Sequence, residues 1–176
     1  MEVIILCGGF GTRIQSISNG IPKALMKLGD SVFLDIILEK VFQYEVSHVY
    51  LSLYYKPDLF QEYINNFSYK KKVTYIVEPE PLGTGGAINY VLENSTITSP
   101  FFVMNGDSLS DIDLNLMAKE FEKNRYKAMI GISEVKDAER YGTVTVQNRN
   151  VVSFKEKGIS ESGLINNGYY IFKKEA

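Results

Sequence analysis

A glycine-rich segment follows the first apolar run of the chain and has the chemistry of a phosphate-binding loop. Residues 3–7 form a continuous apolar run, as in a buried strand, and residues 8–13 then read GGFGTR. Backbone amides in such a loop can approach phosphate oxygens because glycine has no side chain to block them. Arg13 supports this interpretation, since a guanidinium binds phosphate oxygens through two parallel hydrogen bonds. For the glycines alone, a tight turn without a ligand is the alternative.

Two known phosphate-binding motifs do not fit this loop. The dinucleotide-binding pattern G-x-G-x-x-G, started at Gly9, requires a glycine where the chain has Ile14. The Walker A motif requires Gly-Lys followed by Ser or Thr, a string that the sequence does not contain. A dinucleotide-dependent dehydrogenase is therefore a remote alternative.

Two charged residues in other segments are candidates to act on the same phosphates. Lys23 follows Pro22, whose ring fixes the backbone, so the ammonium group is presented from a stiff segment. Asp107 comes shortly after a second buried run, residues 101–104, and a carboxylate is a ligand for a divalent cation. Taken alone, the lysine would be a solvated side chain and the aspartate a turn or cap residue.

Short apolar runs alternate with segments of helical period, which indicates an α/β domain with a mostly parallel central sheet flanked by helices. Strands are predicted at residues 3–7, 49–53, 73–77, 101–104, 129–132, 143–146, 151–154 and 169–172. Helical stripes lie within residues 34–41, 60–67, 84–92 and 114–121, with Thr84 and Asp113 as predicted N-caps. The turn residues 148–150 predict a hairpin, so the series includes a late antiparallel excursion. Ligands of such sheets bind at the carboxyl ends of the strands, where the glycine loop lies.

Composition narrows the class of protein. The 176 residues carry a net charge of −2, and 45% are hydrophobic, which fits one globular domain over residues 1–176 and argues against nucleic acid as a partner. Cys7 is the only cysteine, so no intrachain disulfide forms and we expect a cytoplasmic protein. The run 3–7 is too short to span a membrane.

The string Leu6-Cys7-Gly8-Gly9-Phe10-Gly11-Thr12-Arg13, followed by Pro22-Lys23, resembles the signature of the sugar-1-phosphate nucleotidyltransferases. The resemblance implies a Rossmann-like nucleotidyltransferase domain in which the loop binds a nucleoside triphosphate. In that family the arginine holds the pyrophosphate leaving group and the lysine contacts phosphate at the reacting centre. The residues implied on these grounds are Leu6, Gly8, Gly9, Gly11, Thr12, Arg13 and Lys23. Cys7 stands where the family usually has alanine, and we interpret it as a small buried residue.

Further matches follow in the order expected of that family. Residues 78–87, EPEPLGTGGA, resemble its base-binding segment, which implies nucleotide contacts by Glu78, Gly83 and Thr84. The string Asn105-Gly106-Asp107 resembles the motif whose aspartate holds Mg²⁺. The later matches imply sugar-phosphate contacts by Asn105, Gly142, Glu156, Lys157 and Asn167, with Lys157 on the phosphate. The partners implied are small molecules, a nucleoside triphosphate and a sugar 1-phosphate, and the oligomeric state stays open.

Details within these motifs resemble one branch, the D-glycero-α-D-manno-heptose 1-phosphate guanylyltransferases. Glycine follows Glu156-Lys157 where the wider family has proline, and residues 14–16 lack the wider family's Pro-Leu-Thr. A carboxylate near the base also suits guanine, whose edge offers two adjacent N–H donors. We hypothesise that Glu78, or less favourably Glu80, accepts them; the alternative is that Glu78 only closes a strand.

The implied reaction explains why the sequence has a single histidine. The nucleophile is the phosphate of the sugar, which is largely ionised at neutral pH because its second pKa is about 6, so no general base is required. His48 is therefore expected to be structural. The alternatives are a mannose- or glucose-1-phosphate nucleotidyltransferase and a catalytically inactive nucleotide-sugar-binding module. The family's second metal-binding aspartate has no counterpart here, and we expect the domain to lack its C-terminal part.

Overall fold

A mixed sheet forms the centre of the computed structural model, which describes residues 1–11, 20–67, 70–138, 141–155 and 162–176. Its strands are β1 (Glu2–Leu6), β4 (His48–Leu53), β5 (Val73–Val77), β6 (Phe101–Asn105), β7 (Ala128–Val135), β8 (Thr143–Gln147), β9 (Asn150–Lys155) and β10 (Gly163–Phe172). The strands β2 (Lys27–Leu28) and β3 (Ser31–Val32) form a separate small ribbon. The helices are α1 (Phe33–Phe42), α2 (Pro57–Asn65), α3 (Gly83–Glu93) and α4 (Leu114–Asn124), and 3-10 turns span Lys23–Leu25 and Lys70–Lys72.

One half of the sheet is parallel and carries the candidate site. Its strand order is β5-β4-β1-β6, with β1 paired in parallel to both β4 and β6 and β4 paired in parallel to β5. Their carboxyl ends therefore meet at one edge of the sheet, the usual place for a ligand in an open α/β fold. The predicted α/β class and parallel sheet are confirmed.

The other half is antiparallel. Strand β10 pairs antiparallel with β6, β7 and β8, and β8 pairs with β9 in the predicted hairpin. The antiparallel excursion is confirmed, although it begins already at β7. Strand β10 starts earlier than predicted, at Gly163. The prediction missed its first half because Asn166, Asn167 and Gly168 lie in the middle of the strand, at an irregularity in the pairing with β7. Such residues are poor strand formers and hide the pattern.

Alternate residues of the central strands pack on opposite faces. Val3 and Ile5 of β1 lie in the larger core with α1, α2 and α4, whereas Ile4 lies in the second core with Val91 of α3. All three β1 side chains are fully buried. Burial of one such side chain contributes about 1.5–3 kcal/mol, so the two cores hold the strand that leads into the glycine loop rigidly in place.

The starts of two helices test the cap predictions. Asp113 is the N-cap of α4, since its carboxylate accepts hydrogen bonds from the amides of Asn115 and Leu116, at 2.9 and 3.0 Å. The prediction of Thr84 as a cap is wrong, because α3 begins at Gly83, which turns the chain with φ +68° and places Thr84 inside the first turn. Among the described helices, none combines the length and apolar character needed to cross a membrane.

Candidate functional site

A cavity of about 400 Å³ opens at the carboxyl ends of β1 and β6. This volume is within the range of small-molecule sites, about 300–1,000 Å³. Ten of the residues predicted from the sequence line it together: Leu6, Gly8, Gly9, Gly11, Lys23, Glu78, Gly83, Thr84, Asn105 and Asp107. The fold therefore brings the predicted nucleotide segments and the predicted metal segment to one place.

The glycine loop leaves β1 directly beside a buried carboxylate. A Cβ atom at Gly8 would lie 2.7 Å from Oε1 of Glu78 and 3.4 Å from Cβ of Tyr54, so a side chain there would displace its neighbours. Gly11 adopts a φ of +58°, a conformation that side chains rarely tolerate. At Gly9 no atom lies within 4 Å of the corresponding position. Two of the three loop glycines thus have a structural requirement, and Gly9 leaves open space toward the cavity.

Lys23 and Asp107 both line the cavity and form an ion pair. The Lys23 ammonium Nζ lies 3.0 Å from Oδ2 of Asp107. Lys23 begins a 3-10 turn whose next residue, Ala24, is 4% exposed, so the buried alanine anchors the turn that presents the lysine. The side chains of the pair are 42% and 53% exposed. Both charges therefore remain accessible to a ligand in the cavity.

Glu78 is held in a fixed orientation at the other side of the cavity. The residue is only 6% exposed, and Oε1 accepts a hydrogen bond from the Ser52 hydroxyl at 2.7 Å. The other oxygen, Oε2, accepts one from the amide of Leu82 at 3.3 Å. A carboxylate offers about four lone pairs, and these two bonds use one on each oxygen. Lone pairs therefore remain on both oxygens of this residue, which lines the cavity.

Of the predicted sugar-side residues, Asn105 lies on the parallel half of the sheet and Gly142 on the antiparallel half. Asn105 ends β6 and packs against Gly168, where a Cβ would lie 2.7 Å from its Nδ2. Gly168 has a φ of +82°, so glycine is required there on both grounds. Gly142 precedes β8, and its Cβ position is 3.1 Å from the carbonyl oxygen of Lys155. Asn105 lines the cavity, whereas Gly142 lies at the base of the hairpin.

The amide group of Asn167 is used partly within the protein. Its Nδ2 donates to the hydroxyls of Ser110 and Ser133, each at 3.2 Å. Its Oδ1 is buried and has no hydrogen-bond partner in the described parts of the chain. A buried acceptor without a donor is unfavourable, and Asn167 is not among the residues that line the cavity. The contact of Asn167 with the sugar stays a prediction.

Four predicted site residues lie outside the described residues: Thr12, Arg13, Glu156 and Lys157. Their roles rest on the resemblance described above. Of the described segments next to them, Gly8–Gly11 lines the cavity, whereas the hairpin of β8 and β9 contributes no residue to its lining.

Cys7 is the residue that separates β1 from the glycine loop, and it is inert. The thiol is 7% exposed, and its burial, with a smaller effect of the Asp107 charge, raises its pKa to about 12. A thiol reacts as the thiolate, so Cys7 is unreactive near neutral pH. His48 is also structural in its contacts, since its Nε2 lies 2.8 Å from the Thr74 hydroxyl, and burial lowers its pKa.

The metal site predicted at Asp107 contains one carboxylate. Over the described ranges, no group of three or more His, Cys, Asp or Glu side chains is arranged to hold a metal ion. Asp111 lies 3.4 Å from Nζ of Lys40, and Asp113 caps α4, so both have other contacts. Mg²⁺ commonly binds one or two carboxylates together with water and substrate phosphates. The exposed carboxylate of Asp107, which lines the cavity, fits that mode of binding.

Sequence reasoning missed Ser52. Its side chain is fully buried in β4 and it donates the hydrogen bond that holds Glu78. The sequence does contain a signal, because Ser52 is the one small polar residue in a strand segment, residues 49–53, that is otherwise apolar or aromatic. Buried hydroxyl groups require a partner, so such a residue marks a polar contact inside the fold.

Comparison with known proteins gives matches along the whole chain. A family model described as nucleotidyl transferase matches residues 2–176. The D-glycero-α-D-manno-heptose 1-phosphate guanylyltransferase of Campylobacter jejuni is 39% identical over 176 residues, which cover 99% of this chain and 77% of that protein. The protein of the same name from Aneurinibacillus thermoaerophilus is 35% identical over 174 residues, covering 99% and 75%.

A solved structure has the same fold with a nucleotide analogue bound. HddC from Yersinia pseudotuberculosis, crystallised in complex with GMP-PN, matches with a TM-score of 0.86 at 36% sequence identity. The match covers 99% of this chain and 77% of that chain. The likeness therefore includes both the parallel half of the sheet that carries the cavity and the antiparallel half.

Proposed function

The chain belongs to the nucleotidyl transferase family, and we propose that it transfers a guanylyl group from GTP to D-glycero-α-D-manno-heptose 1-phosphate. The products are GDP-heptose and pyrophosphate. The observation that carries this assignment is the 39% identity, over 99% of the chain, to a relative named for that reaction. It agrees with the cavity, which presents an ion pair at one side and a buried carboxylate at the other.

The bond changes require no proton to be removed. An oxygen of the sugar phosphate attacks the α-phosphorus of GTP, a new P–O bond forms, and the bond to the bridging oxygen of pyrophosphate breaks. The attacking phosphate is largely ionised at neutral pH, with a second pKa of about 6. The chemical difficulty is instead that two polyanions must approach each other, so catalysis depends on positive charge and positioning.

Lys23 is the described residue placed to neutralise that charge. Lys23 lines the cavity together with the glycine loop and Asp107, and its 42% exposure leaves N–H donors available for phosphate. Backbone amides of the segment Gly8–Gly11 would bind the triphosphate beside it. Arg13 and Lys157 would add charge on the pyrophosphate and the sugar phosphate, as the family resemblance implies.

Asp107 would hold a divalent cation, which we propose is Mg²⁺, together with phosphate oxygens and water. When bound, the ion supplies further neutralisation of the phosphate charge as a Lewis acid. The Asp107 carboxylate also fixes the Lys23 ammonium, and its Oδ1 accepts a hydrogen bond from the Ser108 hydroxyl at 3.2 Å. Asp107 would thus position both the Lys23 ammonium and the proposed divalent cation.

Glu78 would select guanine. Its two oxygens are each held by one internal donor, which leaves adjacent acceptors toward the cavity. Guanine offers two neighbouring N–H donors, on N1 and the 2-amino group, and a carboxylate matches this pair. Adenine and uracil do not present two donors in that arrangement, so the contact would discriminate in favour of GTP. The alternative role of Glu78, closing β5, leaves its cavity-side acceptors unexplained.

Two other functions make different predictions. A mannose- or glucose-1-phosphate nucleotidyltransferase would use the same phosphate site with another sugar. An inactive binding module would bind nucleotide without releasing pyrophosphate, but it would have no need for the Lys23–Asp107 pair.

Pyrophosphate release measured over a panel of substrates separates these functions. The panel combines GTP, ATP, UTP and CTP with heptose, mannose and glucose 1-phosphates. We expect release with GTP and the heptose 1-phosphate at a kcat/KM at least tenfold above every other pair. Equal or higher rates with mannose 1-phosphate would assign the sugar differently, and nucleotide binding without release would support the binding module.

A further inference from the structure

Ser52 is a polar residue in a fully buried stretch of β4. It lies in β4 between β1 and β5, opposite Leu6 on one side and Ile76 on the other. It is fully buried, and its hydroxyl donates to Oε1 of Glu78 at 2.7 Å. A buried hydroxyl without a partner is unfavourable, so the pairing with Glu78 accounts for its presence in the strand.

The backbone around Ser52 fixes this contact from both neighbouring strands. The Ser52 carbonyl accepts from the amide of Cys7 at 2.8 Å, and the carbonyl of Leu53 accepts from the amide of Glu78 at 2.7 Å. The first bond joins β4 to the start of the glycine loop, and the second joins it to the residue that follows β5. Ser52 therefore sits on the strand that sets the distance between the loop and Glu78.

Three neighbours leave the Glu78 carboxylate little freedom. Gly8 lies against Oε1, because a Cβ there would be 2.7 Å away. The amide of Leu82 holds Oε2 from the opposite direction at 3.3 Å. Of the described contacts, only the one from Ser52 comes from a side chain in the sheet core, so it determines which way the carboxylate plane faces.

We infer that Ser52 is a positioning residue for nucleobase selection. It acts through Glu78, by holding the carboxylate so that one acceptor of each oxygen faces the cavity as a matched pair. This inference rests on the proposed function, because it concerns the base of the nucleotide used there. A carboxylate that recognises two adjacent N–H donors must be fixed in rotation, since a rotated carboxylate offers only one acceptor in the right place.

The substitution Ser52→Ala removes the hydroxyl and keeps the strand. We expect the dissociation constant for GTP to rise about tenfold, the typical effect of losing one hydrogen bond to a charged group. Inosine triphosphate lacks the 2-amino group and so uses one acceptor fewer. The wild-type protein should bind GTP at least about tenfold more tightly than inosine triphosphate. In Ser52→Ala this ratio should fall to within about threefold, as the paired acceptors lose their alignment.

Equilibrium binding of GTP and inosine triphosphate to the wild type and to Ser52→Ala tests the inference. Val49→Ala is the matched control, because Val49 is a fully buried residue of the same strand with an apolar side chain. Val49→Ala should lower the melting temperature and leave the binding ratio of the two nucleotides unchanged. Ser52→Thr, which retains a hydroxyl, should keep more of the ratio than Ser52→Ala.

The possible outcomes separate this inference from the proposed function. A wild type that binds both nucleotides equally, or a Ser52→Ala protein with an unchanged ratio, overturns the role of Ser52. A ratio that falls equally in Val49→Ala also overturns it, since the effect would then be general destabilisation. Pyrophosphate release is measured separately: its absence in the wild type refutes the proposed function, whereas the binding ratios still decide the role of Ser52.

Discussion

The ammonium of Lys23 lies 3.0 Å from the Asp107 carboxylate, although the two residues are 84 positions apart in the chain. The 3-10 turn after Pro22 supplies the lysine, and the turn that follows β6 supplies the aspartate. An exposed ion pair of this kind contributes about 0–1 kcal/mol to stability, so stability alone does not explain it. Its position on the cavity agrees with the proposed role of the pair at the phosphates of the substrates.

Lys23→Met should abolish most of the turnover without unfolding the protein. The ammonium would stabilise charge that develops at the α-phosphate, and loss of one such group lowers kcat by about 10²–10³-fold. Steady-state pyrophosphate release measures the effect. Lys123→Met is the control, because Lys123 forms a surface pair with Glu120 on α4 and does not line the cavity. Equal activity of the two variants would contradict the proposed role of Lys23 in the reaction.

Asp107→Asn should change the dependence on metal. The amide keeps the shape of the carboxylate but loses the charge that binds a divalent cation, so half-maximal activity should require at least about tenfold more Mg²⁺. A titration of activity with MgCl₂ gives this value for both proteins, and chelation by EDTA should stop the wild type. Asp111→Asn, which alters only the contact with Lys40, should leave the titration unchanged. An identical Mg²⁺ curve for Asp107→Asn would place the metal elsewhere.

Glu78→Gln should weaken the preference for GTP. The glutamine side chain replaces one acceptor by a donor and can no longer receive both guanine N–H groups, so GTP should lose about tenfold or more in kcat/KM. Competition among GTP, ATP and UTP reports the preference. Glu80→Gln is the control, because Glu80 is exposed and lies outside the cavity lining in the described part of the chain. If Glu78→Gln keeps the wild-type order of nucleotides, the assignment of Glu78 to the base is wrong.

The neighbouring glycines of the loop should differ in their tolerance of a methyl group. Gly8→Ala places a Cβ 2.7 Å from a carboxylate that two hydrogen bonds hold in place, and overpacking of this kind costs about 1–3 kcal/mol. Gly9→Ala meets no atom within 4 Å. Urea unfolding of both variants gives the two free energies. Equal losses of stability would show that the Gly8–Glu78 contact is looser than described.

The parts of the fold that the sequence predicts well are those that depend on local patterns. Continuous apolar runs predicted β1, β4, β5 and β6, and an acidic residue before an apolar stripe predicted the cap at Asp113. The parts that it missed depend on contacts between distant segments. Ser52 and Glu78 are 26 residues apart and meet only because β4 and β5 pair in register. The prediction of Thr84 as a cap was wrong because the positive φ of Gly83 decides where α3 begins.

Direct detection of both products tests the central claim most closely. The protein, GTP, D-glycero-α-D-manno-heptose 1-phosphate and Mg²⁺ are incubated together, and ³¹P NMR follows the phosphorus signals over time. We predict that pyrophosphate and the two coupled signals of GDP-heptose rise in equal amounts as those of GTP and the sugar phosphate fall. Release of free phosphate or GDP in place of GDP-heptose, or no change in any signal, would contradict guanylyl transfer to heptose 1-phosphate.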